Sequence, residues 1–138
     1  MPTPKSIRGK VKTLIDGLSG FGFTSDFHDP NITGFPAITF DIGEQRSVFL
    51  TNKENLRSII FNIIIYQELK NKGLSEAKRI VDERVEVVIN AFANDFSLAS
   101  EVDWCTPLEG NRGQFLSPNG ELFFQQLNVE CKYIFLTT

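Results

Sequence analysis

The sequence has few of the residues from which disulfide frameworks and metal sites are built. It contains two cysteines, Cys105 and Cys131, and a single histidine, His28, in 138 residues. Two cysteines are too few for a disulfide scaffold, and these two lack the paired spacing of a zinc site. We therefore expect two free thiols and no bound metal or cofactor.

Long hydrophobic runs are also missing. The longest nearly apolar run, Ile59 to Tyr66, is interrupted by Asn62 and is far shorter than the roughly 20 residues that a membrane helix needs. The basic N-terminus leads into Val11-Lys-Thr-Leu-Ile-Asp-Gly17, which is not the continuous apolar core of a signal peptide. These features predict a protein made and kept in the cytosol, with no membrane partner.

Neither sign of charge dominates the chain. There are 14 Lys and Arg residues against 17 Asp and Glu, a formal net charge of −3, which argues against general binding to DNA or anionic membranes. The length and a hydrophobic content of 41 % are those of one globular domain over residues 1–138. Phenylalanine is abundant, with 13 residues, and supplies large side chains for a core or a subunit interface.

Hydrophobic spacing predicts two helices. Ser6 to Leu18 places apolar residues at intervals of three and four, with Ser6 as N-cap and Gly17 or Gly20 as the stop. Ser75 to Phe92 or Phe96 repeats this pattern after a break and cap at Gly73-Leu74-Ser75.

Alternating residues, bounded by glycine and proline, predict the strands. Leu56–Tyr66 is assigned as a strand because its five isoleucines favour a pleated surface over a helix. A turn is predicted at Ser117–Gly120, and a glycine-bearing loop at Pro107–Gly113. The predicted strands are Phe21–Phe27, a hairpin of Pro36–Gly43 and Arg46–Thr51 that turns at Gly43–Gln45, Leu56–Tyr66, Val102–Leu108 and Glu121–Leu136. The expected fold is a single α+β domain of order α-β-β-β-β-α-β-β, with a mixed, mostly antiparallel sheet of about four to six strands and both helices on one face.

Two segments contain residue types that can support catalysis or ligand binding. Gly17-Leu-Ser-Gly-Phe-Gly22 has the glycines of a phosphate loop, but such loops lead from a strand into a helix, and here the predicted order is the reverse. Asp26, His28 and Asp29 are possible metal ligands or bases. A polar loop closed by Pro30 explains them equally well. We therefore predict no catalytic residue; a small cytosolic enzyme using His28 with Asp26 or Asp29 is the remote alternative, which requires these side chains to converge on a pocket.

Several features together carry a family resemblance. The run Gly34-Phe-Pro-Ala-Ile-Thr-Phe40 follows a short helix and strand, an apolar strand precedes the long helix, and Val102-Asp-Trp to Pro107 leads to a long final strand. In length, element order and pattern, the chain from about Lys5 to Phe135 resembles the tail terminator proteins of long-tailed bacteriophages.

This resemblance implies a structural protein rather than an enzyme. Such proteins form a hexameric ring on the finished tail tube, stop its polymerisation and offer a docking surface to the head. The implied partners are further copies of the chain, the tail tube protein and a head completion protein, with DNA only passing through the channel. The implied location is the virion tail, assembled in the host cytoplasm. Another neck or tail-completion protein is the alternative.

The strand Leu56–Tyr66 is apolar on both faces, which predicts a second buried surface beyond the core. Its odd-numbered row from Ile59 to Ile65 is the better core candidate, and its even-numbered row then faces another subunit. The predicted subunit interface comprises Ile60, Ile64, Tyr66, Leu122, Phe124 and Ile134. The acidic segment Asp95–Glu121 is either a functional element, as a projecting arm or a surface that repels DNA phosphates, or a solvated hairpin. Its residues Glu109, Asn111 and Arg112 are predicted to contact the tube or the head. Trp104 in this segment is an interface anchor or a core residue.

Overall fold

The fold consists of two helices and one five-stranded sheet. A computed structural model describes residues 3–28, 32–49, 51, 54–70, 72–118 and 120–136. The strand order is β1-β2-β3-β5-β4; β1 is parallel to β2, and the other neighbours are antiparallel. The predicted α+β class and the mixed, mostly antiparallel sheet are confirmed. The elements are α1 (Pro4–Asp16), β1 (Phe23–Ser25), β2 (Ala37–Phe49), β3 (Glu54–Glu68), α2 (Gly73–Asn94), β4 (Trp104–Ser117) and β5 (Gly120–Leu136).

Both helices contribute to one core on the same face of the sheet. The apolar stripe of each helix contains fully buried residues, such as Val11 in α1 and Val81 in α2, and these belong to the same core cluster as the odd-numbered row of β3. That row, Ile59, Phe61, Ile63 and Ile65, is at most 1 % exposed, and each such side chain contributes about 1.5–3 kcal/mol on burial. The prediction that the odd row faces the core is therefore confirmed.

The start of α1 differs from the prediction by a few residues. Thr3 is the N-cap; its hydroxyl accepts a hydrogen bond from the Ser6 amide at 3.0 Å, while the Ser6 hydroxyl accepts one from the Thr3 amide at 2.8 Å. Ser6 is thus the third helical residue of a capping box rather than the cap itself. Gly17 ends the helix as predicted, and α2 ends before Phe96.

The predicted turn at Gly43–Gln45 is wrong, because β2 runs straight through it. Pairing with β3 shifts by one residue between Ile42 and Glu44, which makes Gly43 a bulge. A Cβ atom on Gly43 would lie 2.3 Å from Nδ2 of Asn62, so this glycine serves close packing rather than chain reversal. The two strands of the predicted hairpin are one strand, and the sheet has one element fewer than the predicted order.

The predicted loop at Pro107–Gly113 is also wrong, since β4 is continuous from Trp104 to Ser117. Its register against β5 shifts between Glu109 and Arg112, a second bulge. Pro107 is tolerated because β4 is an edge strand, where a missing amide donor need not break a ladder. From Trp104 onward the acidic segment is therefore part of a hairpin within the sheet rather than a projecting arm. Ser117 pairs with Gly120 at the predicted turn; Asn119 lies outside the described residues.

The segment before β2 packs on the face of the sheet away from the helices. Ile32, Ala37 and Leu122 form a small buried cluster there, joined by Phe23 and Phe35. Gly17–Gly22 connects α1 to β1, in agreement with its rejection as a phosphate loop. Within the described ranges, neither helix is both long and apolar enough to cross a membrane.

Candidate interaction surface

The face of the sheet turned away from both helices, here called the open face, has no helix over it among the described residues. It carries alternate residues of β2, β3, β5 and β4. Four of the six predicted interface residues, Ile60, Ile64, Tyr66 and Phe124, lie on this face and are half-buried, and a fifth, Ile134, is 41 % exposed. Side chains alternate between the two faces along β3 and β5, so these five residues point away from the helices, as the sequence pattern predicts.

An apolar cluster occupies the end of the open face near the β4–β5 turn. Tyr66 and Phe115 have ring centroids 5.7 Å apart, and Phe115 and Phe124 are 5.6 Å apart, both with edge-to-face geometry. Ile64 lies two residues along β3 on the same face. We call Ile64, Tyr66, Phe115 and Phe124 the hairpin-end patch.

Leu122 does not belong to the accessible part of this patch. It is fully buried by Ile32 and Ala37, with Phe23 and Phe35 packed around them. The predicted interface role of Leu122 is corrected accordingly: its side chain anchors the segment before β2 to the sheet and presents no surface of its own.

A second apolar cluster lies at the other end of the open face. Val48, Leu56 and Ile134 are paired in one row across β2, β3 and β5, and Val48 is 58 % exposed. We call these three residues the far-end patch. Leu56 and Ile64, the nearest members of the two patches on β3, are eight residues apart, which corresponds to about 26 Å at ~3.3 Å per strand residue.

Between the patches the open face is mostly polar, apart from Ile60, Leu108 and Trp104, and the cations Lys132 and Arg46 are paired. Asn62 lies opposite Asn128, whose Oδ1 accepts a hydrogen bond from Gln126 Nε2 at 2.9 Å. Nearer the far-end patch, Lys132 Nζ lies 3.2 Å from Glu130 Oε1, and Arg46 pairs with Glu44 at 2.7 Å. A shallow groove of about 330 Å³ runs over this region, and Ile60 lines it between Glu44 and Glu130. Ile60 is thus separated from both patches by polar neighbours.

Trp104 lies on this face and not in the core. Its side chain is 40 % exposed, and the Lys132 ammonium is 5.8 Å from its ring centroid. Of the two roles that the sequence leaves open, this position agrees with an interface anchor and not with a core residue.

The three predicted tube or head contacts, Glu109, Asn111 and Arg112, are found at the β4 bulge rather than on a loop. Arg112 points to the helix side of the sheet, where Nη2 donates to Asp82 Oδ1 at 3.0 Å and the guanidinium lies 5.1 Å from the Phe123 ring centroid. Arg112 therefore links the edge strand to α2. Asp82 lies on the exposed side of α2, and no sequence pattern indicates that it pairs with a residue 30 positions further along the chain.

His28 lines a small, largely apolar pocket; none of the described lining residues is a carboxylate, although Asp41 lies close enough for its charge to act on the imidazole. The pocket, of about 250 Å³, is formed with Tyr66, Phe115 and other apolar residues. The His28 Nδ1 atom is 2.8 Å from the Thr39 hydroxyl, and partial burial lowers the pKa of the imidazole below its usual value. The Asp26 backbone carbonyl accepts a hydrogen bond from Arg8 at 2.7 Å. Asp29, the other predicted partner, lies outside the described residues.

In the part of the chain that the structure describes, no three or more His, Cys, Asp or Glu side chains are grouped as a metal site would require. Comparison with known families and with curated proteins finds no match to this sequence.

Proposed function

We propose that this chain is a tail terminator subunit of a long-tailed bacteriophage. In this role it is a structural protein without catalytic activity, which closes into a ring on the tail tube, stops polymerisation and receives the head completion protein. The observation that carries the proposal is the open face, with unlike apolar patches at its two ends. The element order that resembles this family supplies the specific assignment.

The two patches favour burial against another subunit. A sheet that is covered by helices on one side ordinarily presents polar residues on the other side. In this protein the aromatic rings of Tyr66, Phe115 and Phe124 cluster on the side without helices, at the hairpin end of the open face. Full burial of an exposed side chain of this kind contributes about 1.5–3 kcal/mol, and half-buried residues gain part of that on contact, against an association cost of about 4–15 kcal/mol. Assembly therefore has to engage several residues of both patches.

The difference between the patches is compatible with a ring. Contact of the hairpin-end patch of one subunit with the far-end patch of the next repeats head to tail and closes into a ring where the rotation between neighbours closes, whereas pairing of both patches with the same partner ends at two copies. The two edges of the sheet are also unlike. One edge is β4. At the other edge, β1 pairs only with Ala37–Thr39, and the rest of β2 forms the edge itself. Both asymmetries agree with head-to-tail association.

The charges of the open face agree with a subunit past which DNA moves without binding. Arg46 and Lys132 are each paired with a carboxylate, from Glu44 and Glu130 respectively. Paired cations release few counterions from DNA and so contribute little affinity for phosphates. The net charge of −3 acts in the same direction.

The experiment that tests the proposal is electron microscopy of tails assembled with and without the protein, carrying a gold-labelled tag. We expect the label at the head-proximal end of the tube, and tubes of uncontrolled, greater length when the protein is omitted. A neck protein of another kind would be labelled at the same end but would leave the tube length unchanged, and that result would contradict the proposal.

A further inference from the structure

Cys105 and Cys131 lie directly opposite each other on β4 and β5. Both point to the helix side of the sheet, with exposures of 6 % and 0 %, and both thiols are free. We propose that this pair is a modification site: a dithiol that a small disulfide oxidant converts to an intramolecular disulfide, which ties the edge strand β4 to β5. The inference does not rest on the proposed function.

The β4 bulge is what brings the two sulfurs together. From Ser117↔Gly120 to Arg112↔Gln125 the pairing is that of a hairpin with a two-residue loop. Continued without a bulge, this register would place Cys105 opposite Lys132, on the other face of the sheet. The extra residue at Gly110–Asn111 shifts the pairing by one, and Cys105 meets Cys131 instead.

Directly opposed strand residues are close enough to be bridged. Their Cβ atoms are generally about 4.5–5.5 Å apart, and a disulfide needs about 3.5–4.5 Å. A small adjustment of the strands is sufficient, and it is easier at β4 because this strand has a neighbour on one side only.

The surroundings assign different roles to the two thiols. A hydrogen bond from the Cys131 thiol lowers the pKa of Cys105, while the same contact and burial raise the pKa of Cys131. Cys105 is also the thiol at the sheet edge, where its sulfur lies 3.9 Å from the Asp95 carbonyl oxygen. Cys105 is therefore the attacking thiolate and Cys131 the resolving thiol.

The segment next to Cys105 has a strained backbone. Leu98, Ala99 and Ser100 have φ angles of 48°, 56° and 69°, the left-handed region that side-chain-bearing residues adopt at a cost. This turn precedes β4 and carries the buried Leu98 side chain. Its opening would give a small oxidant access to Cys105.

The reaction balances with glutathione disulfide as the oxidant. The Cys105 thiolate attacks one glutathione sulfur, which forms a mixed disulfide and releases one glutathione thiolate. The Cys131 sulfur then attacks the Cys105 sulfur, which forms the intramolecular bond and releases the second glutathione thiolate. The protein loses two protons and two electrons, and one glutathione disulfide becomes two glutathione thiols.

The test is incubation of the purified, reduced protein with glutathione disulfide, followed by intact-mass measurement, thiol counting and thermal unfolding. We expect loss of two hydrogens, loss of both thiols and no covalent dimer. The closed loop between Cys105 and Cys131 should raise the unfolding temperature by on the order of 10 °C. Cys105→Ser, treated in the same way, should show no increase.

A register control uses the double variant Cys131→Ser with Lys132→Cys, which moves the second thiol to the opposite face of β5. This variant should form no intramolecular disulfide. The wild type unfolded in urea is oxidised in parallel as a positive control. If the folded wild type keeps both thiols when this control has oxidised fully, the proposal is overturned. Disulfide formation in the register control to the same extent as in the wild type would overturn it as well.

Discussion

Ile63→Glu should abolish the cooperative fold. Ile63 is fully buried on the helix side of β3, between Phe40 on β2 and Leu127 on β5. Loss of the apolar side chain costs about 2–5 kcal/mol, and an unpaired buried carboxylate adds several kcal/mol. The sum is comparable with the whole stability of a typical domain, about 5–15 kcal/mol.

Circular dichroism and thermal unfolding check this expectation, with Ile63→Val as the matched control. The valine variant should retain a cooperative transition, at a cost of about 0.5–1.5 kcal/mol. A cooperative transition of Ile63→Glu within a few degrees of the wild type would contradict the assignment of the odd row to the core.

Ile64→Glu, one residue further along β3, should leave a folded subunit that no longer assembles. Ile64 lies on the open face between Thr39 and Gln126 and is half-buried. In a monomer its carboxylate can remain in water, so the fold should persist. In a subunit contact the same carboxylate would be buried without a partner, at a cost of several kcal/mol, which is enough to prevent association at micromolar concentration.

Light scattering and circular dichroism together measure this outcome. Ile64→Val keeps the surface apolar and should still assemble. Formation by Ile64→Glu of assemblies with the wild-type mass would contradict a role of the hairpin-end patch in subunit contact.

A mixture of two assembly-deficient variants tests whether the hairpin-end patch of one subunit contacts the far-end patch of another. Ile134→Glu disables the far-end patch, so it should also be monomeric alone. An equimolar mixture with Ile64→Glu retains one intact patch of each kind and should yield dimers that grow no further. A mixture that stays monomeric would contradict contact between the two unlike patches.

Periodicity was sufficient to predict the helices and the two faces of β3. The odd row of β3 was identified as core because four large apolar residues recur at every second position. Glycine is misleading at Gly43, which suggests a turn, and at Gly110, which suggests a loop, because both lie at bulges. A bulge and a turn share this local chemistry, and only the spacing of the partner strand distinguishes them.

The composition of the surface was only partly predictable. Ile64, Tyr66 and Phe124 were identified from alternation along single strands, whereas Phe115 joins them only through the β4–β5 register. The burial of Leu122 depends on Ile32, which is distant in sequence. Contacts of this kind are set by tertiary packing and leave no periodic signal in the chain.

Negative-stain electron microscopy of the purified wild-type protein tests ring formation most directly. We expect closed rings with a central channel, sixfold symmetric as the resemblance to tail terminators implies, because in the proposed assembly the hairpin-end patch of one subunit contacts the far-end patch of the next. Isolated 15.6 kDa subunits or two-fold dimers at micromolar concentration would contradict it.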